Sequence, residues 1–423
     1  MTHRVHPAWF VAATAFVALI GAAGFRAAPG ALMVPLHHEF GWSTSAMSLA
    51  VSINLVLYGL TAPFAAALMD RFGVRTVTMS ALVLVALGSG LTVLAEQSWH
   101  LMVTWGVMIG LGTGSMAMAF AATIAGRWFV ERRGLVMGVL TAGGATGQLV
   151  FLPVVSHLAQ SSGWRLASIV IAAAALAVVP LVLVFLDESP EARGITPYGA
   201  PDDWTPPVRQ TGGAGARAID ALRSASRVPA FWALAGAFAI CGATTNGLVG
   251  IHFIPSAHDH GMSETTAASL LAVVGIFDIA GTIASGWLTD RIDPRLLLAG
   301  YYAFRGVGLV MLPALLSSSV HPSIVAFVVV YGLDWVATVP PTVALCREYF
   351  GEQGTIVFGW VFAAHQIGAA VAAFAAGVAR DQTGSYTIAW IGGAALCVLA
   401  AAMSWLLGPA DRRTARQAAT VER

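Results

Sequence analysis

Stretches of about 20 consecutive apolar residues follow one another along this chain with only short polar breaks between them. In hydrocarbon a backbone must satisfy its own N–H and C=O groups, and within a single segment only a helix does so. The pattern therefore predicts an all-α integral membrane protein of twelve transmembrane helices, roughly at 9–36, 44–69, 76–95, 100–126, 134–158, 165–186, 229–256, 264–289, 296–316, 322–346, 355–379 and 385–407. The first apolar stretch has no small-residue cleavage site followed by a soluble chain, so it is expected to be retained rather than removed as a leader.

Two of the polar breaks are versions of one another. Asp70-Arg71-Phe72-Gly73-Val74-Arg75 and Asp290-Arg291-Ile292-Asp293-Pro294-Arg295 lie 220 positions apart. A second echo, Trp128-Phe129, Gly138 and Gly147 against Tyr349-Phe350, Gly359 and Gly368, has an offset of 221. Agreement between the two spacings predicts two pseudo-symmetric six-helix halves, related by an axis along the membrane normal, with a central site between them. The apolar pattern stops between Asp187 and Arg227, where Pro190, Pro197, Pro201, Pro206, Pro207 and Gly212-Gly213-Ala214-Gly215 mark a linker. The expected organisation is an N-terminal bundle at 1–187, a cytoplasmic linker at 188–228, a C-terminal bundle at 229–408 and a tail at 409–423. A short amphipathic helix is expected near Ala218 to Ser226.

Composition agrees: 57% hydrophobic and 10% charged residues, with a mean hydropathy of +0.76, exclude a water-soluble surface. All 22 basic residues are arginine. Arg71 and Arg75, Arg127, Arg132 and Arg133, Arg193 to Arg227, Arg291 and Arg295, Arg347, and Arg412 to Arg416 fall in alternate loops, which places those loops and both termini in the cytoplasm. A net charge of +1 argues against nucleic acid as a partner. Cys241, Cys346 and Cys397 sit in separate apolar segments without metal spacing and read as small buried hydrophobes. His258-Asp259-His260 stands in a turn without further clustered ligands, so no metal is expected there. No cofactor is expected. With no nucleophile–base pair and no phosphate-binding loop, an enzyme is disfavoured.

Charged groups inside the spans cost about 2.5–3.5 kcal/mol each even on insertion scales, so the few present are candidate functional residues. They are Arg26, Asp278, Arg305 and Asp334, with His252 and His365 as titratable additions. Asp278 and Arg305 each lie roughly 15–18 Å deep, measured from the second Asp/Arg loop at 1.5 Å per residue, and are expected to meet as a pair. The pair would be either a fixed structural tie or one that opens when a substrate or proton competes for it. His365 followed by Gln366 lies mid-span, where imidazole could carry a proton or simply hydrogen-bond. Asn54, Tyr58, Gln148, Asn246 and His252 could line a cavity or bridge helices.

The stretch Ala66 to Arg75 resembles the loop signature of the major facilitator superfamily between its second and third helices, and Gly286 to Arg295 is its copy. Trp128 to Gly138, continuing to Ala142-Gly143 and Gly147, is similar to the fifth-helix signature of the monocarboxylate transporter and oxalate/formate exchanger branch. Pro29, Phe40-Gly41-Trp42-Ser43 and Phe277-Asp278 are similar too. Where members of the branch or superfamily carry intramembrane cations, this chain has Gly30, Gly106, Thr282 and, near an expected lysine, His365.

The resemblance implies the major facilitator fold, with the first and tenth helices lining the cavity. Arg26 would then anchor an anion through its bidentate guanidinium, the alternatives being a structural pair with Asp334 or a backbone cap. Asp334, before Pro340-Pro341 that would break or kink its helix, would carry the proton or serve as a fixed counter-ion. The expected substrate-binding set is Arg26, Asn54, Tyr58, Gln148, Asn246, His365 and Gln366. The proton-coupling set is Asp278, Arg305, Asp334 and His365. Asp70, Arg71, Arg75, Asp290, Arg291 and Arg295 are expected to gate by latching the halves when the cavity faces outward.

The whole reading is a secondary active transporter in a bacterial inner membrane, expected to act as a monomer. It would move a small organic anion of the monocarboxylate type together with a proton by alternating access. The alternative is a proton-driven exporter of hydrophobic or cationic small molecules. A receptor retaining the transporter fold would bind ligand without accumulating it.

Overall fold

The computed structural model describes residues 6–116, 118–201, 204–205 and 213–408, with helix positions 26, 27, 118, 119, 145, 148 and 214 described without their side chains. The side chains of Arg26 and Gln148, both expected in the site, thus lie outside the described residues. Among the described residues, eleven helical stretches are long and apolar enough to cross a membrane. They are α1 (Pro7–Phe40), α2 (Thr44–Phe72), α3 (Val74–Leu94), α4 (Ser98–Trp128), α5 (Arg133–Ser161), α6 (Trp164–Phe185), α7 (Pro229–Asp259), α8 (Glu264–Thr289), α9 (Pro294–Leu315), a 62-residue stretch Pro322–Thr383, and α12 (Thr387–Leu406).

The long stretch is two helices. It reverses at Gly351, whose φ of +57 is open to glycine at little cost, and the helices on either side pack together. Divided there it gives α10, in two pieces Pro322–Asp334 and Val339–Phe350, and α11 (Gly354–Thr383). With that division the spans among the described residues number twelve. Two spans are locally unwound: α4 is π-helical over Met102–Ile109 and α7 over Ala243–Val249. These turns were not foreseen from the sequence, because a residue added to a helical turn leaves no mark in hydropathy.

The linker is less free than its composition suggests. Glu188 caps the start of α3, accepting from the Val74 N–H at 2.5 Å and the Arg75 N–H at 3.1 Å, at a helix end with no side-chain cap of its own. Asp187 pairs with Arg75 at 2.5 Å and with Arg193. The Tyr198 backbone bonds Trp128 and Val130, and its ring lies 5.4 Å from that of Trp9. Residues 187–200 are therefore fastened to the N-terminal half. The helix Ala214–Ala225 packs on both halves: Ala221 and Ala225 join the apolar core of the C-terminal helices and Trp360 Nε1 donates to the Ala218 carbonyl at 2.7 Å, while a methyl group on Gly215 would stand 3.8 Å from the Phe64 ring of α2.

How the halves meet follows from the distribution of buried apolar residues. Two separate clusters occupy the end of the molecule bearing the arginine-rich loops. One is built from α1 to α6 (Val11, Met69, Leu82, Phe120, Trp128) and one from α7 and α9 to α12 (Phe231, Phe238, Tyr302, Leu345, Phe358). At the opposite end a single cluster takes residues from both halves, among them Leu32, Trp105, Val155, Phe253, Leu271 and Trp390. The halves are thus joined at one end and have separate cores at the other.

The facing helices α5 and α8 show the same taper. Residues 11 apart return to the same face after three turns, so Gly138, Leu149 and Gln160 share one face of α5. At the joined end Thr265 of α8 donates to Gln160 at 2.6 Å; midway Leu149 and Gly275 border a cleft. At the arginine-rich end a methyl group placed on Gly138 or on Gly286 would meet nothing within 4 Å. The other seam, α2 against α11, stays in contact along its length, from Gly377 beside Ser48 to the Phe64 and Trp360 rings 5.8 Å apart.

Within the C-terminal half the contacts are tight enough to require glycine: a methyl group on Gly281 of α8 would fall on the Leu333 carbonyl of α10. Gly281→Ala is expected to destabilise the purified protein by about 1–3 kcal/mol through overpacking. Gly286→Ala, in open space, should leave it near wild type; thermal unfolding in detergent compares the two.

Candidate functional site

A cavity lies at mid-depth between the halves, lined by Phe25 and Pro29 of α1, Val51, Asn54, Leu55 and Tyr58 of α2, Thr113 of α4, and Asn246, Gly250 and Ile251 of α7. Its volume is about 40 Å³. That holds about three waters and no organic anion, so cargo requires the walls to part. The unwound turns shape it. In α4 the π-helical turn offers the Trp105 carbonyl, which accepts the Asn54 side-chain N–H at 2.7 Å. In α7 it carries Asn246, a half-buried amide on the cavity wall. Such turns recur at functional sites because they re-aim a side chain and expose a carbonyl.

Tyr58 meets Phe362 edge-on at 6.0 Å across the seam of α2 and α11. Gln366, fully buried at the same seam opposite Gly59, has neither amide atom hydrogen-bonded among the described residues. His365 is buried between Phe238 and Phe362, with ring centroids 4.8 and 5.8 Å away. His252 Nε2 donates to the Ala373 carbonyl at 2.8 Å, tying α7 to α11 inside the C-terminal half.

The intramembrane charges are arranged differently from the expectation. Arg305 does not pair with Asp278; it is fully buried and pairs with Asp334, Nε to Oδ2 at 2.6 Å. The depth of Arg305 was legible from its distance along the helix, but its direction around α9 was not. It faces α10 and α7, where Nη2 donates to the Asp334 carbonyl at 2.6 Å and Nη1 lies 2.9 Å from Cys241 Sγ.

The reason is the interruption of α10 at residues 335–338, just ahead of Pro340-Pro341 in the first turn of its second piece. In hydrocarbon the backbone groups freed there need partners. Arg305 serves the Asp334 carbonyl, Ser285 Oγ donates to the Ala337 carbonyl at 2.5 Å, and Asp278 Oδ1 accepts the Val336 N–H at 3.0 Å. Asp278 also accepts from Thr282 Oγ1 at 3.1 Å, and among the described residues no guanidinium lies within ion-pair distance of it. It borders the cleft between α5, α8 and α10, beside Leu149 and Trp335.

The two Asp/Arg loops pair within their own halves. Asp70 binds Arg127 at 2.6 Å, and Arg75 binds Asp187. Arg71 lies over the Phe72 ring, and Arg291 stacks 4.1 Å from the Trp287 ring centroid. Arg295 forks onto Asp293 at 2.5 Å, and this hydrogen bond holds the Asp293 carboxyl below its usual range. Asp259 of the histidine turn is held by Arg380, and no group of three or more His, Cys, Asp or Glu residues that could hold a metal occurs among the described residues.

This architecture has relatives. The profile of the Major Facilitator Superfamily matches residues 14–357 and again 253–423, and the chain belongs to that family. It is 28% identical over 403 residues to monocarboxylate transporter 13 of Bos taurus, covering 92% of this chain and 88% of that one. It is 26% identical to the human monocarboxylate transporter 11 over 90% of this chain and 79% of that protein. An uncharacterized MFS-type transporter of Bacillus subtilis, YcxA, is 26% identical over 90% of each chain. In fold it is similar to a bacterial homolog of the human lysosomal transporter Spinster in an inward-facing, unoccupied conformation. There the TM-score is 0.73 and the identity 16%, over 98% of this chain and 99% of that one. The chain is a multi-pass membrane transporter and not an enzyme.

Arg305→Met or Asp334→Asn alone should destabilise the protein by about 3–5 kcal/mol, since each strands a buried partner. Arg305→Met with Asp334→Leu should recover much of that loss, read from unfolding midpoints and monodisperse yield in detergent. A double variant as unstable as the worse single one would contradict the pairing.

Proposed function

We propose that this protein is a secondary active transporter that moves a small monocarboxylate-type anion together with a proton by alternating access, in a bacterial inner membrane with both termini in the cytoplasm. The observation that carries the reading is the mid-depth cavity enclosed by both halves, with Asn54, Asn246 and Tyr58 among the residues of its wall. Neutral donors of this kind suit a carboxylate, and the unsatisfied amide of Gln366 beside Gly59 gains partners when the seam wets or cargo enters. The near full-length similarity to proteins named monocarboxylate transporters supports the same class of cargo. Arg26, on α1 next to the cavity-lining Phe25, is kept in the proposal as the anion's anchor, and Gln148 as a further polar contact.

The proton is assigned to Asp278. Asp334 is matched by Arg305, so its charge is already balanced, whereas among the described residues Asp278 is held by neutral donors and borders the cleft that separates the halves. A proton there removes an uncompensated charge from a low-dielectric site, which makes the carboxylate sensitive to conformation. His365, in its aromatic cradle, is a second candidate. The two Asp/Arg loops, paired within their halves while the arginine-rich end is parted, are proposed to bridge the halves when that end closes.

A second reading, export of hydrophobic cations, rests on Asp278 standing in an otherwise apolar cleft with Trp335, Leu149 and Leu271.

Reconstituted in proteoliposomes, the protein should accumulate radiolabelled small monocarboxylates when the outside is acid, and a protonophore should abolish the accumulation. Asp278→Asn should lose the dependence on the pH gradient while retaining at least a tenth of carboxylate exchange. Arg26→Ala should raise the KM about tenfold or more, the value of one lost charge-assisted pair. Uptake of organic cations with none of carboxylates would favour the second reading. Accumulation insensitive to the protonophore would remove the proton, and wild-type transport by Arg26→Ala would remove the anchor.

A further inference from the structure

The joined end of the molecule carries a contact that nothing in the transport reading uses. Asp381, in the last turn of α11, reaches across the seam to the first turn of α2. Its Oδ1 accepts the Thr44 N–H at 3.0 Å and its Oδ2 accepts the Ser45 N–H at 2.8 Å. The opening turn of α2 has no acidic residue of its own, and Ser43 Oγ satisfies only the Ala46 N–H. A carboxylate from the C-terminal half is thus the cap of a 29-residue helix in the N-terminal half, where free N–H groups and the helix dipole both favour negative charge.

Its surroundings make this contact a joint. Arg380, the preceding residue, forks onto Asp259 of α7, Nε to Oδ2 at 2.7 Å and Nη2 to Oδ1 at 2.9 Å, which fixes the end of α11 to its own half. One turn below, Gly377 lets α11 approach so closely that a methyl group there would stand 2.7 Å from Ser48 Oγ and 3.0 Å from Ser45 Cα. Deeper still, Ser52 Oγ donates to the Ala370 carbonyl at 2.7 Å. The Ser52 and Asp381 bonds of this seam and the Thr265–Gln160 contact at the same end tie the two halves, and of these the Asp381 cap is the charged one.

We propose that Asp381 is the latch of the face opposite the arginine-rich loops. While it caps α2 that face stays shut, and when the halves rock it must leave the helix end. Because Asp381 is exposed, water replaces both partners on release, so the step is cheap enough to repeat in every cycle. A buried carboxylate in that position could not be released so readily. The proposal rests on the alternating-access reading.

The test uses the full-length protein in lipid nanodiscs. One pair of spin labels at Glu96 and Ser319 reads the latched face, and a second at Val130 and Glu352 reads the arginine-rich face; all four positions are exposed. Asp381→Ala removes the acceptor. Thr44→Pro removes one donor at a first helical position that proline tolerates, after a Ser43 already in extended conformation. Both variants should raise the population separated at the first pair, about fivefold for Asp381→Ala, with a matching fall at the second pair. Ser43→Ala, which removes a cap within one half, should shift neither pair.

General loosening of the fold would part both faces together and would overturn the latch. So would unmoved variants in a protein whose wild type shows two populations on changing pH and cargo. A wild type with a single distance at both pairs under every condition would overturn alternating access itself, and the latch with it.

Discussion

The structure depends on where the halves share a core and where they do not. Apolar packing is short-ranged, so a single cluster at one end and two separate clusters at the other give the halves a shared core at one end only, while α2 and α11 stay in contact along their length. The taper of α5 against α8 and the location of the central cavity follow from that joint. Polar contacts reinforce it where packing is shared, in the seam of α2 with α11 and the hydrogen bond from Thr265 to Gln160. At the arginine-rich end the charges close inward on their own halves.

A second constraint comes from hydrocarbon, which supplies no hydrogen bonds. An interrupted helix is tolerated in it only where protein satisfies the freed backbone. The break in α10 draws Arg305, Asp334, Ser285 and Asp278 to one place for that reason. Their settings differ. The Arg305–Asp334 pair is balanced in charge and enclosed in one half, whereas Asp278 caps the break from the side of the cleft. Asp278 thus touches both the break in α10 and the wall between the halves.

Much of the fold was legible in the sequence, because membrane helices declare themselves by length and hydropathy, and the duplication by two echoes at nearly one spacing. The break in α10 could be read from Pro340-Pro341. What could not be read was direction around a helix axis: Arg305 lies at the expected depth but turns toward Asp334, and hydropathy is blind to which side a residue faces. The linker was legible as polar and Pro-rich, yet its fastening through Glu188 and Tyr198 depends on which backbone donors are left uncapped in the folded helices. Asp381 gave no signal at all, since its partners are two N–H groups more than 330 positions away in the chain.

The central claim is that this arrangement is one of two, joined at one end and parted at the other, and that cargo with its proton exchanges them. Cysteine cross-linking tests it most directly, in a protein whose three native cysteines are buried. One cysteine pair replaces Gln160 and Thr265, and a second replaces Gly138 and Gly286. The first pair should cross-link in the resting protein and the second should not, and supplying carboxylate and acid should slow the first and speed the second. Equal cross-linking of both pairs at rest, or rates unchanged by any cargo, would contradict the account.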